Sequence, residues 1–195
     1  TDSTASGHAG SPDNHGHDSS SVASHVRYGS LFTRDAMVMN DASLAAPSLR
    51  LFADLSVQVG TPQQVGAVLR GTRRVIPIVG GQVQGDGWTA RVLPGGADFQ
   101  LIVSPGYAEL DARYVLETDG GDLIYVQNQA VRSGAPALME RIARGEPVDP
   151  AQIYFRCLPR LETACAALGW INHHLFVGSG ARHPDKVVMR FFALL

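Results

Sequence analysis

The sequence predicts an all-β protein, a single closed antiparallel β-barrel of about ten strands with one short helix and an N-terminal tail. From Arg50 onwards, apolar and polar residues alternate with a period of two, which is typical of half-buried strands. Nearly all connections are short turns rich in Gly, Pro and Asp, and short turns join antiparallel strands because a parallel crossover needs about a dozen residues or more. Closure of such a meander removes the exposed strand edges that invite aggregation.

The N-terminal residues have a different composition. Residues 1–30 are mostly Ser, Gly, Asp, Asn and His, and they offer too little apolar surface to offset the entropy of ordering them. Residues 31–47 are transitional. We therefore divide the chain into a flexible tail, residues 1–47, and a barrel domain, residues 48–195. Imidazoles and a carboxylate in "HGHD" suit a divalent metal, but His-rich tails without a metal are commoner, and we predict no metal site.

The barrel elements follow one another at short intervals. The first strand is Leu51–Val59, where apolar residues alternate with polar ones. The segment 133–151 breaks the pattern and predicts the helix, because Pro136 suits a first helical turn, Leu138, Met139 and Ile142 form an apolar stripe, and Gly145 can end the helix. The other predicted strands cover residues 74–79, 88–93, 97–103, 109–117, 122–129, 152–157, 160–166, 171–177 and 186–194.

Size and charge exclude several classes of protein. A chain of 195 residues with a net charge of -2 holds one well-buried core and has no electrostatic attraction to nucleic acid or to an anionic membrane. No run approaches the roughly 20 apolar residues that span a bilayer. Two cysteines provide no disulfide framework. The sequence agrees equally with a cytoplasmic protein and with one that is exported and has lost a signal peptide.

Several predicted strands carry a pair of polar residues two positions apart, and therefore on one face. Such a face is either the solvated outside of the barrel or part of an interior that is wide enough for a small ligand. An interior with acids and arginines must pair or hydrate them, and a ligand-lined cavity does this better than a dry core. The pairs are Asp98 with Gln100, Asp111 with Arg113, Tyr154 with Arg156, and Arg160 with Glu162.

Four segments carry a family resemblance: "GTRRVIPIVGGQVQGDGWTARVLPGGADFQ", "ELDARYVLETDGGDLIYVQNQAVR", "ARGEPVDPAQIYFRCLPRLETA" and "WINHHLFVGSGARHPDKVV". They closely resemble, in register from about Leu51 to the C-terminus, the family catalogued as domain of unknown function 3237. The resemblance implies a single antiparallel barrel of lipocalin-like proportions, often paired as a homodimer, and no assigned activity. The polar positions that recur in the family resemble Arg74, Asp98, Gln100, Asp111, Arg113, Tyr114, Tyr125, Asn128, Arg132, Tyr154, Arg156, Glu162, Thr163 and Asn172 here.

The residue types narrow the chemistry. No Gly-rich phosphate loop begins a helix, no His or Cys pair with metal-ligand spacing occurs after the tail, and no serine has nucleophile-elbow surroundings. We therefore expect neither a cofactor nor a metal. Carboxylate, guanidinium, phenol and amide groups remain, and these groups suit proton transfer on a small carbonyl or phenolic compound.

The first hypothesis is a cofactor-independent enzyme that catalyses isomerisation, cyclisation or elimination inside the barrel. Asp98 or Glu162 is the general base, and Tyr154 or Tyr114 supplies a proton. Arg113 or Arg156 holds an enolate or carboxylate oxygen. The residues that orient the ligand are Gln100, Asn128 and Asn172, and Trp170 with Phe99 and Phe155 forms an apolar wall.

Two alternatives use the same side chains. A non-catalytic barrel would recognise a carboxylate-bearing or phenolic ligand through arginine and tyrosine contacts. A structural or assembly protein would instead pair all interior polar groups with one another and have no cavity. The expected partners are a small organic molecule and a second copy of the chain, without nucleic acid or membrane.

Overall fold

The computed structural model describes residues 44–195, and the predicted tail lies almost wholly outside this range. The described residues contain ten strands, one α-helix and two 3₁₀ helices. The strands are β1 (Leu49–Val59), β2 (Gln63–Val68), β3 (Gly71–Gly85), β4 (Thr89–Val92), β5 (Ala97–Ser104), β6 (Tyr107–Thr118), β7 (Leu123–Ser133), β8 (Tyr154–Thr163), β9 (Phe176–Arg182) and β10 (Lys186–Leu194). The helix α1 is Pro136–Ala143, and the 3₁₀ helices are Pro150–Gln152 and Ala166–His173.

Eight of the strands form a closed antiparallel barrel, in the order β1, β3, β5, β6, β7, β8, β9 and β10, and β10 returns to β1. The two remaining strands, β2 and β4, lie outside this circuit. The strand β2 pairs with the first residues of β3, and β4 pairs with β3 on one side and with β6 on the other. The predicted fold class is confirmed, because β1 and β10, the first and last strands, pair with each other and close the barrel.

Individual strands differ from the prediction in four places. The strand β3 continues to Gly85, six residues beyond the predicted end of the strand 74–79. The strand β2 was not predicted, since its segment carries turn residues. Two predicted runs form one strand, β8, through Pro159; this proline is tolerated because β8 pairs with β9 only at Arg156 and Cys157, so no ladder hydrogen bond is lost on that side. Residues 171–177, predicted as a strand, instead end the 3₁₀ helix Ala166–His173 and begin β9.

The two ends of the barrel are closed differently. At one end the rings of Phe52, Trp88, Trp170 and Phe176 pack together, with centroids 5.0 to 5.9 Å apart, and the 3₁₀ helix Ala166–His173 covers them. At the other end α1 buries Met139 and Ile142 in a second cluster that includes Leu110 and Phe155. The barrel interior between these caps is where the buried polar side chains lie.

No helix among residues 44–195 has the length and apolar character that crossing a bilayer requires. Both cysteines are free thiols: Cys157 is buried on β8 and Cys165 is half-buried at the start of the 3₁₀ helix that follows β8. The described part of the chain therefore depends on packing and on its hydrogen-bonded ladders rather than on a covalent crosslink.

Candidate functional site

Six polar side chains are buried inside the barrel, and we call them the inner polar cluster. Gln100, Tyr114 and Arg132 are each only 2% exposed, and Asp98 is 8% exposed. Ionised side chains are rarely buried to this extent unless they are paired or serve a site. The cluster consists of Arg74 on β3, Asp98 and Gln100 on β5, Tyr114 on β6, and Asn128 and Arg132 on β7.

A short chain of hydrogen bonds links three members of the cluster. Arg74 Nε donates to Gln100 Oε1 at 2.9 Å, and Gln100 Nε2 donates to Asp98 Oδ2. The pairing of Arg74 with Gln100 across β3 and β5 explains the first contact, and the period-two spacing of Asp98 and Gln100 explains the second. The amide of Gln100 thus fixes one oxygen of the Asp98 carboxyl group.

Other atoms of the cluster have no such partner. Within residues 44–195, no hydrogen-bond partner reaches Asp98 Oδ1, Tyr114 Oη, Asn128 Oδ1 or Arg132 Nε, although all four atoms are buried. An unpaired buried polar group lowers the stability of the folded state by about 1 to 3 kcal/mol, so four such atoms in one interior destabilise the protein unless a ligand or water binds them. The alternative of a structural or assembly protein, in which all interior polar groups pair with one another, does not fit these unpaired atoms.

Burial changes the acidity of these groups. Burial raises the pKa of Asp98 above its ordinary value of 3.8, although the Gln100 hydrogen bond and the charges of Arg132 and Arg74 oppose the change. Burial likewise raises the pKa of the Tyr114 phenol. Burial, followed by the charge of Arg74, lowers the pKa of Arg132 to about 10. Burial therefore favours the protonated form of Asp98 more than solvent does, which suits a group that takes up and releases a proton.

Asp98, Tyr114 and Asn128 line one cavity of about 30 Å³, which we call the central cavity. Its remaining walls are apolar and include Leu110, Phe155 and Met189. The share of one water molecule in the liquid is about 30 Å³, so the expected ligand-sized interior is not present here. Large side chains such as Phe155 and Phe191 fill the space that the strand number alone would leave open.

Four predicted site residues lie on the outside of the barrel, separated from Asp98 by the wall. On β8, burial alternates perfectly from Tyr154 to Glu162, and Tyr154, Arg156 and Glu162 are on the exposed face while Phe155 is inside. Arg113 is also exposed and forms an ion pair of 3.0 Å with Asp111. The interpretation that these residues share an interior with Asp98 is therefore corrected: strand parity had to be assumed, and the structure assigns the opposite face.

Tyr154 and Arg156 do meet in an open groove of about 970 Å³ on the outer surface, where the guanidinium carbon of Arg156 lies 5.1 Å from the centre of the Tyr154 ring. Asp111 and Phe99 also line this groove. Its volume is much larger than that of the central cavity, but its side chains are already solvated or paired. We give more weight to the interior, because in the described part of the chain the buried side-chain atoms without a hydrogen-bond partner all lie there.

Two further predicted ligand-binding residues lie in the 3₁₀ helix at the apolar end. Trp170 is half-buried against Phe52 and Phe176, where it closes the barrel. Asn172 accepts a hydrogen bond from the Thr163 backbone N–H and donates one to the Thr163 carbonyl, both at 2.9 Å. The ring packing of Trp170 and the hydrogen bonds of Asn172 give both residues a structural role near Thr163, at the C-terminal end of β8. Arg132 lies at the other end of β8, where it pairs with Phe155.

Gln100, Tyr114 and Asn128 lie near Asp98, as the sequence predicts. Arg74, Arg132 and Arg182 have no predicted role, although Arg74 and Arg132 are buried beside these residues. Parity offered a signal: Arg132 is two and four positions from Ala130 and Asn128 on β7. Arg182 likewise follows Gly178 and Gly180 on one face of β9. Burial and the charge of Arg74 lower the pKa of Arg182, so this side chain lies close to the cluster.

Metal ligation finds no support in the described part of the chain, since no three or more His, Cys, Asp or Glu side chains among residues 44–195 are grouped to hold an ion. The histidines of the tail lie outside these residues. The inner polar cluster itself supplies acid, amide, phenol and guanidinium groups.

Comparisons with known proteins agree with the fold. The family described as "Protein of unknown function (DUF3237)" matches residues 47–194. A UPF0311 protein of Rhodopseudomonas palustris is 47% identical over 135 residues, which cover 69% of this chain and 88% of the relative. A β-barrel-like protein of Acinetobacter baumannii superposes with a TM-score of 0.69 at 35% identity, covering 78% of this chain and 98% of that one. An enzyme of Penicillium herquei, 14% identical with a TM-score of 0.58 over 78% of this chain and 97% of its own, shares the fold alone.

Proposed function

The chain belongs to the DUF3237 family of proteins of unknown function, and from its barrel interior we propose that it is a cofactor-independent enzyme that moves protons on a small carbonyl or phenolic compound. Isomerisation, cyclisation and elimination all fit this description. The observation that carries the proposal is the group of three buried oxygens, Asp98 Oδ1, Tyr114 Oη and Asn128 Oδ1, that face one cavity without a partner among residues 44–195.

Each group has a role in this proposal. Asp98 exchanges the proton, since its raised pKa brings the carboxyl group closer to neutral pH, where general acid–base catalysis is most efficient. Gln100 holds Asp98 Oδ2, which leaves Oδ1 to face the substrate. Tyr114 stays protonated because burial raises its pKa, and it donates a hydrogen bond to a substrate oxygen. Asn128 orients the same molecule.

Substrate entry requires the barrel to open, because the central cavity has the size of about one water molecule. The end covered by α1 is the best candidate. Leu110 and Phe155 line the cavity and also pack against Met139 and Ile142 of α1. Gly134 and Gly145 flank the helix, and small residues often lie where a covering segment hinges.

Exchange of substrate hydrogen for deuterium tests the proposal without knowledge of the product. Small ketones, oxo acids and phenols are incubated with the protein in D₂O, and loss of their C–H signals is followed by proton NMR. We expect catalysed exchange with at least one compound, and a loss of about 100-fold or more in that rate for Asp98→Asn, because the proton acceptor is removed.

Asp54→Asn is the matched control, since Asp54 lies on the outer face of β1 and pairs with Arg190 at 2.7 Å. This variant should exchange as fast as the wild type. Full activity in a folded Asp98→Asn variant would remove Asp98 as the proton acceptor. Absence of exchange with every compound, together with a small molecule found on the purified protein by native mass spectrometry, would favour the non-catalytic binding barrel.

A further inference from the structure

We propose that Arg74, Arg132 and Arg182 form an anion-binding site at the α1 end of the barrel, and that the ligand of this protein carries a carboxylate group bound there. The inference concerns the same interior as the proposed function and names the substrate class for it. It depends on three observations: the surplus of positive charge, an unused donor on Arg132, and the partial exposure of Arg182.

Charge in the interior is not balanced. Arg74 and Arg132 are at least 95% buried, Arg182 is half-buried, and Asp98 is the one buried acid of the inner polar cluster. Arg132 lies against the Phe155 ring, and that ring also contacts β9 at Gly180, two positions before Arg182 on the same face. The charge of Arg74 reaches both side chains, since after burial it is the next cause that lowers the pKa of Arg132 and of Arg182. A buried surplus of like charge is costly unless an anion compensates it.

Arg132 has binding capacity left over. Its Nε is buried, and among residues 44–195 no acceptor reaches it. The guanidinium carbon lies 5.8 Å from the centre of the Phe155 ring, which holds the group in place without using its N–H donors. A planar guanidinium binds a carboxylate through two parallel hydrogen bonds, so a carboxylate is the anion that fits this donor in a narrow space.

Arg182 connects the cluster with solvent. It lies at the last position of β9, where β8 and β9 are no longer paired, and its Nη1 donates to the Lys186 carbonyl at 3.0 Å. Asp185 is the other acid near this side chain. In the proposed site an anion binds between the half-buried Arg182 and the buried Arg132, and Arg74 is joined through Gln100 to Asp98. A bound carboxylate therefore places the rest of its molecule at the proton-exchanging group.

Binding of matched pairs of probes tests the inference. Benzoate is compared with benzamide, and acetate with acetamide, by isothermal titration calorimetry and by melting temperature at constant chloride concentration. We expect each carboxylate to bind about tenfold more tightly than its neutral amide or better, and to raise the melting temperature accordingly. Equal binding within each pair, or no binding of either carboxylate, would overturn the proposal, and so would tighter binding of inorganic phosphate.

Variants assign the effect to the cluster. Arg132→Met should weaken benzoate binding about tenfold or more, whereas Arg190→Met, on the outer face, should leave it unchanged. If Arg132→Met does not fold, the comparison of carboxylate and amide on the wild type still tests whether the protein prefers a carboxylate ligand. Equal loss in both variants would contradict the site.

Asp98→Asn separates this inference from the proposed function. Because Asn carries no negative charge at any pH, the variant should bind benzoate at least as tightly as the wild type, even if all proton exchange is lost. Retained exchange with tight benzoate binding would overturn Asp98 as the proton acceptor and leave the anion site standing. Lost exchange without any preference for carboxylates would overturn the anion site alone.

Discussion

At the scale of single residues, Asp98 combines features that are costly unless they are used. Its carboxyl group is buried, one oxygen is held by Gln100, and the other has no partner among residues 44–195. The neighbouring arginines favour its charged form, but burial outweighs them and raises its pKa. This balance makes the protonation state of Asp98 sensitive to a ligand, since a molecule in the central cavity changes both its burial and its hydrogen bonds.

The raised pKa predicts how stability depends on pH. The folded state holds the Asp98 proton more tightly than the unfolded chain, so the contribution of Asp98 to stability is greatest at low pH. It falls as the pH rises from about 4 through the pKa of the folded state, by about 1.4 kcal/mol for each tenfold difference in proton affinity. The free energy of unfolding of the wild type minus that of Asp98→Asn should therefore decrease over this range.

Urea unfolding of both proteins between pH 4 and pH 8 measures this difference. Arg132, with its pKa lowered to about 10, does not titrate in the window. A difference that stays constant with pH, or that increases, would show that the carboxyl group of Asp98 is not destabilised in its charged form.

At the scale of elements, strand parity determines which side chains can cooperate. Alternation was evident from the sequence of β5 and β8, and it grouped Asp98 with Gln100 and Tyr154 with Arg156 correctly. Which group faces inward depends on register and closure, which local alternation does not contain. On β8 both faces look apolar in the sequence because the outer groove also contains Tyr154 and Leu158.

The 3₁₀ helix Ala166–His173 gives an element-scale prediction about Asn172. Its side chain makes two hydrogen bonds to the backbone of Thr163, which in turn donates its hydroxyl to the Leu123 carbonyl at 2.7 Å. Asn172→Ala should therefore lower the free energy of unfolding by about 1 to 2 kcal/mol, because both hydrogen bonds at the end of β8 are lost.

Chemical denaturation measures this loss. His173→Ala is the control, because His173 is the exposed residue next to Asn172 and the hydrogen bonds to the Thr163 backbone come from Asn172. The Asn172→Ala variant should retain the benzoate affinity of the wild type. A variant with unchanged stability but weakened ligand binding would instead support the ligand-binding role that the sequence suggested.

At the scale of the whole molecule, closure of eight strands sets the volume of the interior. Two inward glycines of β9 allow large neighbours to fill it: the position of a Cβ on Gly180 would lie 2.8 Å from the Phe155 ring, and one on Gly178 would lie 2.7 Å from Cys157 Sγ. The narrow central cavity follows from this packing. The predicted homodimer concerns the outer surface and stays a prediction.

Gly178→Ala tests the packing of the barrel. The added methyl group would lie 2.8 Å from the Arg190 carbonyl oxygen and 3.0 Å from the Phe191 ring, so the barrel must shift to admit it. We expect a loss of about 1 to 3 kcal/mol in the free energy of unfolding. Gly169→Ala is the control, because no atom lies within 4 Å of its added Cβ, and it should be close to neutral. Equal stability of both variants would mean that the interior is looser than described.

The sequence by itself determined the all-β class, the closed meander, most strand positions, the helix near Pro136 and the pairing of Asp98 with Gln100. These features follow from local alternation, turn residues and spacing within one strand. Only the tertiary structure decided that Tyr154, Arg156, Glu162 and Arg113 face outward, and that Arg74 and Arg132 are buried in the interior with Asp98. Such meetings join strands that are distant in the chain, and the closure and register that produce them are properties of the whole barrel.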